Sequence, residues 1–332
     1  MRAVQLVQPS GPDGLRLTDV PEPDGTGGVV VDVDFAGVTF PDLLQTRGLY
    51  QVKRDLPFVP GAEAGGRVRV APAGCGMRPG DRVAVLTADG AWQEVVVAEP
   101  ARVLPLPDAL PAERAAGMLV NHLTAHFALC RRASARPGES VLVHGAGGGL
   151  GTAALELCRA LGLSTIAVVS SDRKAEAARR AGAGHVVSAE GWLQAVRAYT
   201  AGRGVDVVLD PVGGERFTDS LRSLAPEGRL VVLGFAGGGI PSVKVNRLLL
   251  RNTAVLGAGW GEIVAQEPGY LRRQWDELRA LVQDGRLTVS APEVHPLSDA
   301  AEVLRRIERR EAVGKSVLRV RPTVSLSRGT EN

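Results

Sequence analysis

Cysteine and long apolar runs are both scarce in this chain of 332 residues. Only Cys75, Cys130 and Cys158 are present, and three thiols so far apart predict neither a disulfide framework nor a four-thiolate zinc site. The chain shows no signal peptide after Met1, and no segment approaches the roughly 18 uninterrupted apolar residues of a membrane span. We therefore expect a cytoplasmic protein with reduced thiols and no membrane partner.

An excess of charge of one sign is also missing. The 39 basic and 36 acidic residues leave a net charge of +3, and no basic run marks a surface for nucleic acid, so no nucleic-acid partner is predicted. Only four of the basic residues are lysines, at positions 53, 174, 244 and 315. A hydrophobic fraction of 45% is typical of a globular protein, and the length predicts two domains.

The residue pattern changes at about position 110. Before it, short strand-like segments with little helical periodicity predict a strongly bent all-β domain, at 28–33, 66–70, 82–86 and 92–97. Later strand-like segments are mostly separated by helical ones, at 141–143, 165–169, 185–187, 205–209, 230–233 and 254–256. Six such strands with crossovers predict a doubly wound parallel sheet. Two helical segments, 269–284 and 298–310, and a last strand at 316–320 complete the pattern.

The most informative segment is a glycine-rich turn between the first of these later strands and its helix. Residues 141–151 read VLVHGAGGGLG, and apolar residues then recur at helical spacing. The slots of the dinucleotide-binding fingerprint are filled by Ala146, Gly148 and Gly151, so that alanine replaces the first glycine. We expect a pyrophosphate to approach this turn closely and to bind the unpaired N–H groups at the start of the helix.

The end of the second strand of this unit predicts which dinucleotide is bound. A site for NAD usually has Asp or Glu there, whereas this chain has Ser170 and Ser171, followed by Arg173 and Lys174. Hydroxyls and cations suit a 2′-phosphate, which a carboxylate would repel. Asp172 lies beyond the strand end, where it could cap the next helix. We predict NADPH as the cofactor; the alternative is that the two cations only form a solvated first turn.

Four segments carry a family resemblance that covers nearly the whole chain. They read GVTFPDLL at 37–44 (continuing to RGLY at 47–50), PGAE at 60–63, NHLTA at 121–125 and DPVGG at 210–214. With them the chain resembles the zinc-free medium-chain dehydrogenases/reductases of the NADPH:quinone oxidoreductase type. The resemblance implies an α/β protein with a GroES-like β-barrel substrate domain and a doubly wound Rossmann domain. The expected boundaries are 1–120 for the first part of the substrate domain, 121–260 for the NADPH-binding domain and 261–332 for the return.

Zinc separates the branches of this superfamily. The relatives that bind catalytic zinc have a cysteine and a histidine where this chain has Thr39 and Ala62. His122 and His126 have a spacing that could bind a metal, but no third ligand lies near them in the sequence. We therefore predict no metal site.

The resemblance also implies roles for residues near the substrate. Relatives often carry asparagine at the position of Thr39, whose hydroxyl can still donate one hydrogen bond to a carbonyl. Tyr50 matches a tyrosine that lines the quinone site, and a phenol can donate a proton or stack on a flat substrate. Asp42 is expected to orient Thr39 or the loop. A further tyrosine of some relatives is Leu44 here, and the alternative that Tyr50 and Asp42 are only structural stays open.

Several cofactor contacts follow from the same resemblance. It implies that Gly148, Gly149 and Leu150 cover the pyrophosphate. Thr124 is expected near the nicotinamide, and the ribose side is expected to be lined by Gly213, Gly234 and Phe235. Two basic residues near the C-terminus match positions that return to the cofactor, Arg310 and Lys315. A tyrosine that flanks the adenine end in relatives is Ser188 here.

The resemblance implies hydride transfer from NADPH to a quinone or other conjugated carbonyl, a small-molecule substrate, without metal. An enzyme that reduces an enoyl thioester or another activated alkene is an alternative, and so is a protein that binds NADPH but has lost turnover. The last strand of the parallel sheet, at 254–256, is expected to leave a free edge that pairs with a second copy, so we predict a homodimer.

Overall fold

A computed structural model describes residues 1–321, and its N-terminal part is built mainly of strands. The strands of this part are β1 (Arg2–Leu6), β2 (Leu15–Asp19), β3 (Val29–Val38), β4 (Glu63–Val70), β5 (Arg82–Leu86), β6 (Val95–Ala98) and β7 (Val103–Pro105). Its helices are α1 (Phe40–Thr46), α2 (Ala112–Ala115) and α3 (Leu119–His126), the last of which continues into a π-helical segment, Phe127–Arg132.

The central part alternates strands and helices as predicted. Its strands are β8 (Ser140–Val143), β9 (Ser164–Val169), β10 (His185–Ser188), β11 (Val205–Asp210), β12 (Leu224–Val232) and β13 (Ala254–Gly257). Its helices are α4 (Gly149–Ala160), α5 (Asp172–Arg180), α6 (Trp192–Tyr199), α7 (Phe217–Arg222) and α8 (Asn246–Leu249). The strand order is β10-β9-β8-β11-β12-β13 with every pairing parallel, which is the doubly wound order.

The C-terminal part returns to the first sheet. It contains α9 (Trp260–Gln266), α10 (Tyr270–Gln283), β14 (Glu293–Pro296), α11 (Ala300–Glu308) and β15 (Ser316–Arg319). Strand β15 pairs antiparallel with β3, so the two ends of the chain share a seven-stranded sheet of order β14-β15-β3-β4-β5-β7 in which β6 also pairs with β3. The boundaries 1–120, 121–260 and 261–332 stay a proposal, and residues 322–332 lie outside the described part.

Burial on both faces explains the central sheet. Along β8, Val141 and Val143 face a core that includes residues of α3, α4 and α10, while Leu142 faces a second core that includes Trp192 and Phe217 of α6 and α7. Strands covered on both faces are near-continuous apolar runs, which is why the sequence shows them clearly.

One strand begins earlier than the sequence pattern predicts. The sequence pattern predicts a strand at 230–233, but β12 already pairs with β11 at Leu224, and Pro226 and Gly228 lie within it. The pairing register shifts between Val205 and Val207, and Glu227 has a left-handed φ of 63°. An irregular strand start therefore accommodates the residues that break a regular strand.

Candidate active site

The glycine-rich turn lies between β8 and α4, and its sharp bend is made by Gly145. This residue has a φ of 60°, a conformation that favours glycine. Ala146, which follows it, is buried and donates its backbone N–H to the carbonyl of Val168 at 3.2 Å. Because Gly145 already provides the left-handed bend, alanine fits the first fingerprint slot. The sequence pattern did not single out Gly145.

The turn presents unpaired amides to a ligand. Helix α4 begins after Gly148 without a side-chain cap, and the N–H groups of Gly149, Leu150 and Gly151 have no acceptor within residues 1–321. A Cβ on Gly149 would approach Asn121 Nδ2 to 2.7 Å, and one on Gly151 would overlap the carbonyl of Gly145. A bare turn with three free amides at a helix N-terminus fits the diphosphate of a dinucleotide.

A cationic corner lies beside the turn. Lys174 Nζ donates to the carbonyl of Arg310 at 2.6 Å and to Ser170 Oγ at 3.3 Å. Burial lowers the pKa of Lys174, and the charge of Arg310 lowers it further. Arg310 has a left-handed φ of 60°, which turns its carbonyl into this contact. Two neighbouring residues predicted for the cofactor, Ser170 and Lys174, therefore meet a third, Arg310, that is 136 positions from Lys174.

The cap of the next helix differs from the prediction. Ser171, and not Asp172, is the N-cap of α5, because Ser171 Oγ accepts the backbone N–H of Lys174 at 3.4 Å and Asp172 is already the first helical residue. A serine that accepts an amide keeps its own hydroxyl proton available for an anion. Arg173 is exposed on the same turn, and its charge helps to lower the pKa of Glu293.

Two loops at the carboxyl edge of the sheet hold the residues predicted for the ribose side. Gly213 has a φ of 62°, and its N–H donates to Asp210 Oδ1 at 2.9 Å. A Cβ on Gly213 would lie 3.0 Å from the ring of Phe235, so this glycine packs against the second loop. Gly234 precedes Phe235 in that loop, whose backbone N–H groups at 236 and 237 donate to the carbonyls at 211 and 212.

A buried pair of polar side chains follows β3. Both the backbone N–H and the hydroxyl of Thr39 donate to Asp42 Oδ2, at 2.6 and 2.7 Å. Burial raises the pKa of Asp42 to about 6, against the hydrogen bonds from Thr39 and the charge of Lys315, which lower it. The hydroxyl proton of Thr39 is thus used by Asp42, in the reciprocal arrangement of a helix capping box at the start of α1.

Tyr50 is half-buried in the loop that follows α1. Burial raises the pKa of its phenol, and the negative charges of Asp42 and Glu262 raise it further. The phenol therefore keeps its proton at neutral pH and can donate a hydrogen bond. Thr124 lies half-buried on α3. The predicted hydrogen bond from the Thr39 hydroxyl to a carbonyl is not available while its single proton is donated to Asp42. The roles of Asp42, Tyr50 and Thr124 stay predictions.

Lys315 links the two sides of the site. Its Nζ donates to the carbonyl of Val38 at 2.9 Å and to Glu63 Oε1 at 2.5 Å, and Glu63 is fully buried. The preceding residue, Gly314, donates its N–H to the carbonyl of Gly147 at 2.8 Å. Glu63 belongs to the PGAE motif, and no role was predicted for it. Its charge, within a motif just before the strand predicted at 66–70, was the signal that could have indicated a functional residue.

Three of the five histidines contact carboxylate or hydroxyl groups of the protein. His122 pairs with buried Glu156 at 2.8 Å, His126 lies 3.1 Å from Glu277, and His144 contacts Ser220 Oγ at 2.8 Å. Within residues 1–321, no group of three or more metal-ligating side chains of the His, Cys, Asp and Glu types comes together. The same residues include no helix with both the length and the apolarity of a bilayer span.

Two family models match the chain, one in its N-terminal part and one in its central part. The model of the alcohol dehydrogenase GroES-like domain matches residues 25–108, and that of the zinc-binding dehydrogenase matches residues 149–283. The chain is 36% identical to quinone oxidoreductase-like protein 2 of Bos taurus over 302 residues, which are 90% of this chain and 86% of the relative.

Solved structures agree with this assignment. The quinone oxidoreductase of Thermus thermophilus, which is also known in complex with NADPH, is 36% identical with a TM-score of 0.81, over 96% of this chain and 100% of that one. The CurK enoyl reductase is 25% identical with a TM-score of 0.85, over 96% and 98% of the two chains. The predicted family and fold class are confirmed. The chain therefore belongs to the medium-chain dehydrogenase/reductase superfamily, in its quinone oxidoreductase-like branch.

Proposed function

We propose that the protein is an NADPH-dependent oxidoreductase that transfers a hydride to a quinone or another conjugated carbonyl without a metal. The observation that carries this proposal is the glycine turn with its three free amides, which Gly314 and Lys315 link to the segment before the buried pair of Thr39 and Asp42. The NADPH complex of the Thermus thermophilus relative supports the cofactor. Lys174, Ser170 and Ser171 give the chain a corner suited to the 2′-phosphate that distinguishes NADPH from NADH.

The residues of the chain bind NADPH, orient the acceptor and supply a proton to it. Bound NADPH supplies a hydride to an electron-poor carbon of the acceptor. The free amides of α4 would hold the diphosphate, and the loops at Gly213 and Phe235 would hold the ribose side. We assign the phenol of Tyr50 to donate a hydrogen bond, and then a proton, to the acceptor oxygen. Positioning two reactants in one site then provides most of the acceleration.

A panel of acceptors tests the proposal. NADPH oxidation is measured with quinones, enones and enoyl thioesters, at equal acceptor concentrations. Turnover of quinones or enones supports the proposal, and turnover of none of the three classes, with NADPH binding intact, identifies a binding protein without activity.

Reduction of an activated alkene is the second candidate. It is favoured by one specific observation, the structural likeness to CurK, a solved enoyl reductase. Both reactions use hydride transfer to a conjugated acceptor, so the same protein residues serve either. Preferential turnover of enoyl thioesters in the panel would decide for this candidate.

We expect protein purified in the presence of a chelator to keep its full activity. The reason is that Thr39 and Ala62 stand where zinc-binding relatives have a thiolate and an imidazole, and neither side chain is a common zinc ligand. Elemental analysis and NADPH oxidation before and after chelation check this. Loss of turnover that returns with stoichiometric zinc would contradict it.

The edge of the parallel sheet supports a homodimer. Strand β13 pairs only with β12 within the described residues, so its outer edge is open in the sheet. Leu249 and Leu250, just before this edge, are 76% and 77% exposed, which is unusual for leucine and excludes inward packing of these two. An edge strand beside exposed leucines can pair with a copy of itself around a twofold axis.

We therefore expect light scattering to give a mass of about 70 kDa at micromolar concentration, twice the chain mass of 34.8 kDa. Val255→Lys puts a charge in the edge strand and should give the monomer mass. Val186→Lys, in the opposite edge strand β10, is the matched control and should leave the dimer intact. A monomer mass for the unmodified protein would contradict this expectation.

A further inference from the structure

A buried ion pair joins four segments next to the site. Lys315, directly before β15, reaches Glu63 of β4 at 2.5 Å, with side-chain exposures of 11% and 0%. The same ammonium donates to the carbonyl of Val38 at 2.9 Å, and the other oxygen of Glu63 accepts the N–H of Val120 at 2.7 Å. Two of the three donors of the lysine are therefore already used inside the protein.

The segments that this pair joins are those that carry the reaction. Val38 directly precedes Thr39, and Val120 lies on α3, which carries Thr124. On the other side, Gly314 donates to the carbonyl of Gly147 in the glycine turn at 2.8 Å. The stem of Lys315 also passes Gly149, with Cδ 3.6 Å from the place where a Cβ of that residue would lie.

Movement of the ammonium onto a diphosphate would be costly. It would leave Glu63 buried and charged without its partner, which is strongly destabilising. The diphosphate has no need of it, because within residues 1–321 the amides of Gly149, Leu150 and Gly151 are free to bind an anion. We therefore do not expect Lys315 to bind the diphosphate, although the family resemblance implied that it contacts the cofactor.

We propose that Lys315 is a positioning residue for hydride transfer: paired with Glu63, it holds the segment of Thr39 and Asp42 against the glycine turn without binding the cofactor. This inference rests on the proposed function for its kinetic part only. The charge of Lys315 lowers the pKa of Asp42, and the charge of Glu63 raises it. Tyr50 is the further titratable group near that carboxylate.

The test compares Lys315→Met with the double variant Lys315→Met/Glu63→Gln, which removes both charges and keeps the fold testable if the single variant does not fold. NADPH affinity is measured by fluorescence titration, and kcat with the best acceptor of the panel. We expect less than about a twofold change in NADPH affinity and at least about a tenfold fall in kcat for both variants. Lys174→Ala is the control that loses NADPH affinity.

A second readout needs no turnover. The charge of Lys315 lowers the pKa of Asp42, so its removal should move the titration of that carboxylate to higher pH in the ligand-free protein. Thermal unfolding followed against pH measures this, and it stays informative if no acceptor is turned over, an outcome that would count against the proposed function alone. A loss of NADPH affinity of about tenfold or more, or full kcat in the double variant, would overturn the inference.

Discussion

We expect Lys174→Ala to weaken NADPH binding by about 10- to 100-fold and to leave NADH binding nearly unchanged. The ammonium of Lys174 is held between the carbonyl of Arg310 and Ser170 Oγ, and it is partly buried. A partly dehydrated cation forms a strong charge-assisted hydrogen bond, worth about 1.5–3 kcal/mol. NADH lacks the 2′-phosphate, so it should not be affected by the loss of this bond.

Fluorescence titration of both cofactors into the two proteins measures the effect. Lys244→Ala removes another of the four lysines, at an exposed position away from the corner, and is the matched control. Equal losses for NADPH and NADH would mean that Lys174 holds the fold of the site and does not select the cofactor.

The sequence was most informative where structure depends on neighbouring residues. Short apolar runs identified all six strands of the parallel sheet, and the glycine turn identified the start of α4. One error concerned the start of β12, and another came from a choice between adjacent residues. Ser171 and Asp172 are both good helix caps, and only the path of the chain after β9 decides between them.

Contacts between residues far apart in the sequence could not be predicted from the residue pattern. Lys174 meets the carbonyl of Arg310 across 136 positions, and Lys315 meets Glu63 across 252. The family resemblance suggested that both basic residues near the C-terminus return to the cofactor. It contained no sign that Lys315 has a buried carboxylate as its partner, because that depends on how β15 pairs with β3.

Asp42→Asn should make the protein more stable at neutral pH and less active. Burial raises the pKa of Asp42 from 3.8 to about 6, so ionisation of this carboxyl costs folding free energy. The folded state binds more protons than the unfolded state between these two values. The stability that this group contributes is therefore lost as the pH rises from 3.8 to about 6. Above that range its contribution no longer changes with pH.

The size of the effect follows from the shift. A difference of about two pKa units corresponds to about 3 kcal/mol between the two ends of this pH window. Asparagine keeps an oxygen that can accept both hydrogen bonds of Thr39, but it carries no charge at any pH. The variant should therefore lack this pH dependence, and near pH 7 its free energy of unfolding should exceed that of the unmodified protein.

A buried charge that lowers stability is typical of a functional site, where activity depends on it. Ionised Asp42 fixes the direction of the Thr39 hydroxyl, and a neutral amide orients it less strongly, so we expect a lower kcat with unchanged NADPH affinity. Denaturant unfolding at several pH values between about 4 and 7 measures the stability difference. Asp19→Asn, at an exposed carboxylate of β2, is the control and should run parallel to the unmodified protein. Parallel curves for Asp42→Asn as well would show that Asp42 carries no destabilising charge.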